Sequence, residues 1–134
     1  MAEPQRRTLL KLLSTQDQEP QARIDWQVAR NLLGAVPHPR VGLKWQFDWL
    51  LWDLEIWTRL SRQERFALYC HFMQFSGGEG LSYGARAIFH VEPNQLTDEQ
   101  LAEIVEIQFW GWRHYDGHPE HLLSDAHALL ARKM

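Results

Sequence analysis

The chain has 134 residues, with 45% hydrophobic and 23% charged residues and a formal net charge of −3. This composition argues against disorder. The length favours a single domain, which we expect to be helical and to cover residues 1–134. The mild acidity and the lack of a basic stripe argue against nucleic-acid binding, and no apolar run is long enough to predict a membrane span. The single cysteine, Cys70, excludes an internal disulfide framework, so we expect a cytoplasmic protein.

Helical spacing of apolar residues recurs along the chain and predicts an all-α fold, a compact bundle of five or six helices. Glycines 77, 78, 80 and 84 predict a flexible loop, and residues 85–91 fit either a turn of helix or one short strand. In chain order, the predicted helices cover residues 5–14, 20–33, 43–60, 61–75, 98–115 and 119–132.

Several predicted helix starts have a specific signature. Ser61 with Glu64, and Thr97 with Gln100, match the capping-box spacing, in which each side chain hydrogen-bonds a backbone N–H of the other residue. Pro119 is well placed as a first helical residue, because that position needs no backbone N–H donor. We therefore expect helices to begin at residues 62, 98 and 119.

The predicted helix 43–60 carries most of the seven tryptophans of the chain, and Trp45, Trp49 and Trp52 follow helical spacing. Polar residues fall within such apolar faces, where burial is costly unless they are paired or protonated. They either hydrogen-bond core partners or line an acidic pocket that binds a cationic group or supplies acid–base chemistry. The candidate buried polar residues are Gln46 and Asp53 on this helix and Asp25 on the predicted helix 20–33. Gln108 has a similar position on the predicted helix 98–115.

Trp110 falls on the polar face of the predicted helix 98–115, wound at about 100° per residue, together with Glu103, Glu106 and Arg113. An exposed tryptophan beside charged residues has the composition of a protein-binding hot spot, where tryptophan and arginine are enriched. The alternative is that a neighbouring helix or the N-terminal segment covers Trp110. These four residues are the candidate partner-binding site.

Four of the seven histidines lie within residues 114–127. On the last predicted helix, His118, His121 and Asp125 share one face, and His114 can reach them across the preceding turn. Imidazole and carboxylate groups hold divalent ions such as zinc, although the usual zinc and di-iron motifs are missing. The competing interpretations are a set of solvated polar residues around a helix start, and a pH-responsive interface.

Two classes of function follow from these features. The first is a small adaptor, inhibitor or regulatory protein that binds a protein partner through the face around Trp110, and such a face is also suited to homo-oligomerisation. The second is a metal-binding protein, or a metal-dependent or acid–base enzyme, that uses His114, His118, His121 and Asp125. The first is favoured because no convincing catalytic constellation is present, and no cofactor is expected apart from a possible divalent metal ion.

Overall fold

The computed structural model describes residues 2–14, 24, 27–29 and 43–134, without the side chains of residues 43–46, 53, 56 and 57. The chain forms two compact units, one of Met1–Gln16 with Met73–Met134 and the other of Asp17–Phe72. Each unit is described by itself, and the single-domain expectation stays a prediction.

The regular elements in the described part of the chain are helices apart from one small hairpin, which confirms the predicted all-α class. For residues 85–91, the helical alternative is the correct one at residues 85–89, since these belong to a helix that begins at Leu81. In chain order, the elements are α1 (Glu3–Leu13), α2 (Leu43–Arg59), α3 (Arg62–His71), β1 (Gln74–Phe75), β2 (Gly78–Glu79), α4 (Leu81–Phe89), a 3-10 turn (Pro93–Gln95), α5 (Asp98–Trp110), α6 (Trp112–Tyr115) and α7 (Pro119–Lys133).

The unit of residues 17–72 contains α2 and α3. Of the predicted helix 20–33, residues 24 and 27–29 are described, and they are helical. The backbone N–H of Glu64 donates to the Ser61 hydroxyl, and the Ser61 N–H donates to the Glu64 carboxylate, so the predicted capping box starts α3. The predicted helix 61–75 is too long, because α3 ends at His71.

In the other unit, α5 packs against both α1 and α7. Buried side chains lie on all three helices, and the core is therefore centred on α5. Thr97 and Gln100 form the second predicted capping box at its start. The principal core residues are Leu9, Leu12 and Leu13 on α1, Leu101, Ala102, Ile104, Val105 and Ile107 on α5, and Leu122, Ala126 and Leu129 on α7.

The predicted glycine-rich loop is an ordered hairpin followed by α4. Gln74 pairs with Glu79 and Phe75 with Gly78 in antiparallel register. Gly84 lies inside α4 against the Phe75 ring, where an added Cβ would come within 2.3 Å of a ring atom. The glycine at this position allows close packing and does not make the segment a loop.

The predicted helix 98–115 is broken at Gly111, which separates α5 from α6. Gly111 has φ +88° and ψ 146°, a backbone conformation that residues with a Cβ rarely adopt. Its N–H still donates to the Ile107 carbonyl at 2.8 Å, and its own carbonyl accepts from the His114 N–H at 3.1 Å. The break therefore redirects the chain immediately after Trp110.

Among the helices that the structure describes, none combines the length and the apolar character that a membrane crossing requires.

Candidate interaction site

The end of α5 exposes two large aromatic side chains side by side. Phe109 is 59% exposed and Trp110 is 55% exposed, and their rings meet edge to face with centroids 4.9 Å apart. We call Phe109 and Trp110 the aromatic patch. Exposed aromatic side chains that are adjacent in space are typical of protein-binding surfaces.

Beneath the patch, Glu106 lies one helical turn before Trp110. The prediction that Glu106 is an exposed residue of the polar face is wrong, since it is only 7% exposed. The Gly111 break carries α6 back over this part of α5, and the Tyr115 hydroxyl comes within 3.4 Å of the Glu106 carboxylate. The Trp110 side chain also lies close enough to that carboxylate to lower its pKa, so the buried acid lies next to the exposed indole.

Asp125 on α7 completes this polar arrangement. The Tyr115 hydroxyl donates to the Asp125 carboxylate at 2.7 Å, a much shorter contact than the one with Glu106. Because a hydroxyl has one proton, it is chiefly committed to Asp125. Tyr115 thus joins α6 to α7 while remaining next to the acid on α5.

Two effects raise the pKa of Glu106 above its usual value: burial, and then the nearby Asp125 carboxylate. The Tyr115 hydroxyl, the charge of Arg132 and the nearby Trp110 side chain act in the opposite direction. Burial also raises the pKa of Tyr115, and its hydrogen bond to Asp125 adds to the effect. Tyr115 is therefore a neutral hydrogen-bond donor at neutral pH.

The other two residues of the predicted partner-binding site differ from each other in exposure. Glu103 is partly buried on α5, and burial followed by the Glu99 charge raises its pKa. Arg113 is exposed on α6, and its guanidinium lies 5.3 Å from the centroid of the Trp112 ring. Of the four predicted residues, Trp110 and Arg113 are therefore the ones whose side chains are exposed.

The predicted metal-binding residues are divided between three places. His114 stacks on Trp110, with ring centroids 5.3 Å apart, and Asp125 accepts the hydrogen bond from Tyr115. Only His118 and His121 lie together, and a third donor that the sequence interpretation missed, Glu120, lies beside them. Glu120 could have been found from the sequence, because it is a carboxylate between two histidines at the start of a predicted helix.

The structure describes the side chain of only one of the four polar residues that were predicted to be buried. Asp25 lies outside the described residues, as do the side chains of Gln46 and Asp53 on α2. Gln108 can be placed: its amide accepts from the Gln74 N–H at 3.0 Å and donates to the Gln74 carbonyl at 2.9 Å. Gln108 therefore joins α5 to the start of the hairpin, which is a structural role.

Cys70, on α3, is the free thiol of the chain. Burial raises its pKa to about 12. The side chain is therefore protonated at neutral pH, and a nucleophilic role for it is not supported.

A second exposed apolar surface lies on α2, in the other unit. Its side chains have i, i+3, i+4 and i+7 spacing and thus share one helix face. The sequence pattern alone does not predict this exposed face. The exposed residues are Phe47, Leu50, Leu51 and Leu54.

Comparison of the chain with protein-family models, with curated proteins and with solved structures found no match.

Proposed function

We propose that this protein is an interaction module, an adaptor, inhibitor or regulatory protein that binds a partner protein through the aromatic patch. The observation that carries the proposal is the exposure of Phe109 and Trp110, each more than half accessible, at the end of a helix that is otherwise largely buried. Exposed aromatic residues of this kind supply much of the binding energy in protein interfaces.

The surroundings of Trp110 favour binding because they restrict the side chain before a partner arrives. Its indole is stacked on the His114 imidazole and also meets the Phe109 ring edge to face. A side chain that is already held in place loses less conformational entropy on association. The aromatic patch is thus preorganised.

Arg113 indicates the chemistry of the partner. Within the part of the chain that the structure describes, no carboxylate forms an ion pair with its guanidinium. The partner accordingly brings an apolar or aromatic side chain to the aromatic patch and an acidic side chain to Arg113. The single free thiol of Cys70 supports a reducing, cytoplasmic setting for this encounter.

Site-specific photocrosslinking tests the proposal. A benzoyl-phenylalanine replaces Phe109 in the natural host, and a matched control places it at Leu123, an exposed apolar residue on α7. We expect an adduct with another protein from position 109 only, competed by excess unlabelled wild-type chain and not by Trp110→Ala. Equal adducts from both positions, or no adduct from position 109, would overturn the proposal.

Self-association is a separate outcome of the same experiment. An adduct of twice the mass of the chain would identify a second copy as the occupant of the aromatic patch. That result would replace the proposed partner protein by a homo-oligomer.

A further inference from the structure

The start of α7 brings three metal-binding side chains together. The donor atoms of His118, Glu120 and His121 all lie within 4.8 Å of one another. The Glu120 carboxylate is 3.6 Å from His118 Nδ1 and 3.8 Å from His121 Nε2. The geometry points to a surface site for one divalent transition-metal ion such as Zn²⁺, held by these three residues, which we call the imidazole cluster.

Local structure explains why the cluster forms. Pro119 occupies the first position of α7 and fixes where the helix begins, so His118 is the residue just before it. The two histidines are three residues apart and their rings stack, with centroids 5.1 Å apart and planes 11° apart. Both imidazoles thus lie on the same side of the helix start, next to the carboxylate.

The separations between the Glu120 carboxylate and the two imidazoles are close to those that a bound ion requires. Ligand atoms about 2.0–2.1 Å from Zn²⁺ in tetrahedral geometry lie about 3.3 Å from one another. The carboxylate oxygen of Glu120 therefore needs to approach each imidazole by only a few tenths of an ångström. The donor atoms as a set lie within 4.8 Å of one another, so the widest pair must approach by up to about 1.5 Å, and all three side chains are exposed, which leaves room for that rotation.

The donor set selects among metals. Two neutral imidazoles with one carboxylate suit Zn²⁺, Ni²⁺ or Cu²⁺, whereas Mg²⁺ and Ca²⁺ prefer oxygen ligands. The start of a helix carries partial positive charge, which opposes a cation, and the Glu120 charge offsets it. Three protein ligands leave one coordination position open to water or to a group from another molecule.

The imidazole cluster shares no residue with the aromatic patch. It differs from the four-residue site predicted from the sequence, because His114 and Asp125 are engaged with Trp110 and Tyr115. Binding of metal to this cluster and binding of a partner to the patch are therefore tested separately. A negative result for metal binding does not contradict the proposed partner binding, and a negative result for partner binding does not contradict the metal site.

Calorimetric titration of the untagged full chain with ZnCl₂ is the first test. We expect one ion per chain, with binding weakened at least tenfold in His118→Ala, His121→Ala and Glu120→Gln. His127→Ala is the matched control, because His127 is exposed on the same helix and contacts Glu99 at 2.9 Å. Its affinity for Zn²⁺ should stay within about twofold of wild type, and MgCl₂ should give no binding heat at the same concentration.

Paramagnetic broadening locates the ion independently. On adding Co²⁺, the NMR signals of the His118 and His121 rings should broaden before those of His71, His90 and His127. The site is overturned if Zn²⁺ does not bind, if His121→Ala binds it as tightly as wild type, or if the broadening begins at another histidine.

Discussion

The imidazole of His114 stacks on the indole of Trp110, with ring centroids 5.3 Å apart and planes 23° apart. The two residues are on either side of the Gly111 break, one at the end of α5 and the other in α6. The contact withdraws His114 from the predicted metal site and makes it a support of the aromatic patch. It also means that the conformation of Gly111 and the position of Trp110 are coupled.

The first prediction therefore concerns Gly111→Ala. An added Cβ would meet no atom within 4 Å, so the expected cost comes from the backbone conformation at φ +88°. We expect a loss of about 1–3 kcal/mol in the free energy of unfolding, measured by urea denaturation. D-alanine, introduced at this position by semisynthesis, favours positive φ and should retain the wild-type stability. Equal destabilisation by both alanines would contradict the backbone explanation.

Glu106→Gln should change how stability depends on pH. The folded chain raises the pKa of Glu106 above its usual value of 4.5, chiefly through burial and the charge of Asp125. A raised pKa means that protonation of the Glu106 carboxyl group stabilises the folded chain. This stabilisation is fully present below the pKa of Glu106 in the unfolded chain and is lost as the pH rises through its pKa in the folded chain. A glutamine keeps the size and the polar character of this side chain but does not ionise.

We therefore expect Glu106→Gln to be at least as stable as wild type at neutral pH and to show a smaller fall in unfolding free energy as pH rises above 4.5. Urea denaturation across a pH series measures this. Glu3→Gln, an exposed change on α1, is the control and should leave that fall unchanged. A pH dependence in Glu106→Gln identical to wild type would refute the assignment to Glu106.

Gly84→Ala tests the packing of α4 on the hairpin. The new Cβ would lie 2.3–2.7 Å from atoms of the Phe75 ring, so side chains or backbone must shift. We expect a loss of about 1–3 kcal/mol. Combining it with Phe75→Leu should cost less than the sum of the two single changes, because the smaller side chain relieves the overlap. Strict additivity would show that the contact is not the cause.

The two capping boxes provide a matched pair. Thr97→Ala should cost about 1 kcal/mol at all pH values, because its partner Gln100 is uncharged. Hydrogen bonds from the backbone N–H and side chain of Ser61 lower the pKa of Glu64. Stability from this charge is present above the unfolded pKa and lost as pH falls through the folded pKa. The cost of Glu64→Gln should thus shrink at low pH, and urea denaturation in which the costs of Glu64→Gln and Thr97→Ala vary equally with pH would contradict this.

Much of the fold follows from local sequence signals. The starts of α3, α5 and α7 were predicted because capping boxes and an initial proline act through neighbouring residues alone. The hairpin was not predicted, because two-residue strands are too short to show an alternation of apolar and polar residues. Gly111 was also missed, since apolar spacing continues from α5 into α6 and a glycine does not reveal the sign of its φ.

The candidate site was predicted only in part. The position of Trp110 on the polar side of its helix follows from winding, but the burial of Glu106 depends on the return of α6 after the break. The grouping of His118 and His121 is local, and so it was predictable. The separation of Asp125 from them results from its hydrogen bond to Tyr115, which no spacing along one helix indicates.

The most direct test of the proposed function uses the partner identified by crosslinking, prepared as a pure protein. Calorimetry measures the dissociation constant of its complex with this chain. Trp110→Ala should weaken binding at least about 30-fold, as loss of a central hot-spot residue costs about 2 kcal/mol or more. Arg113→Glu should also weaken it through charge repulsion, and Leu123→Ala should stay within about twofold of wild type. Circular dichroism establishes that each variant is folded. Unchanged affinity in folded Trp110→Ala and Arg113→Glu would contradict the account.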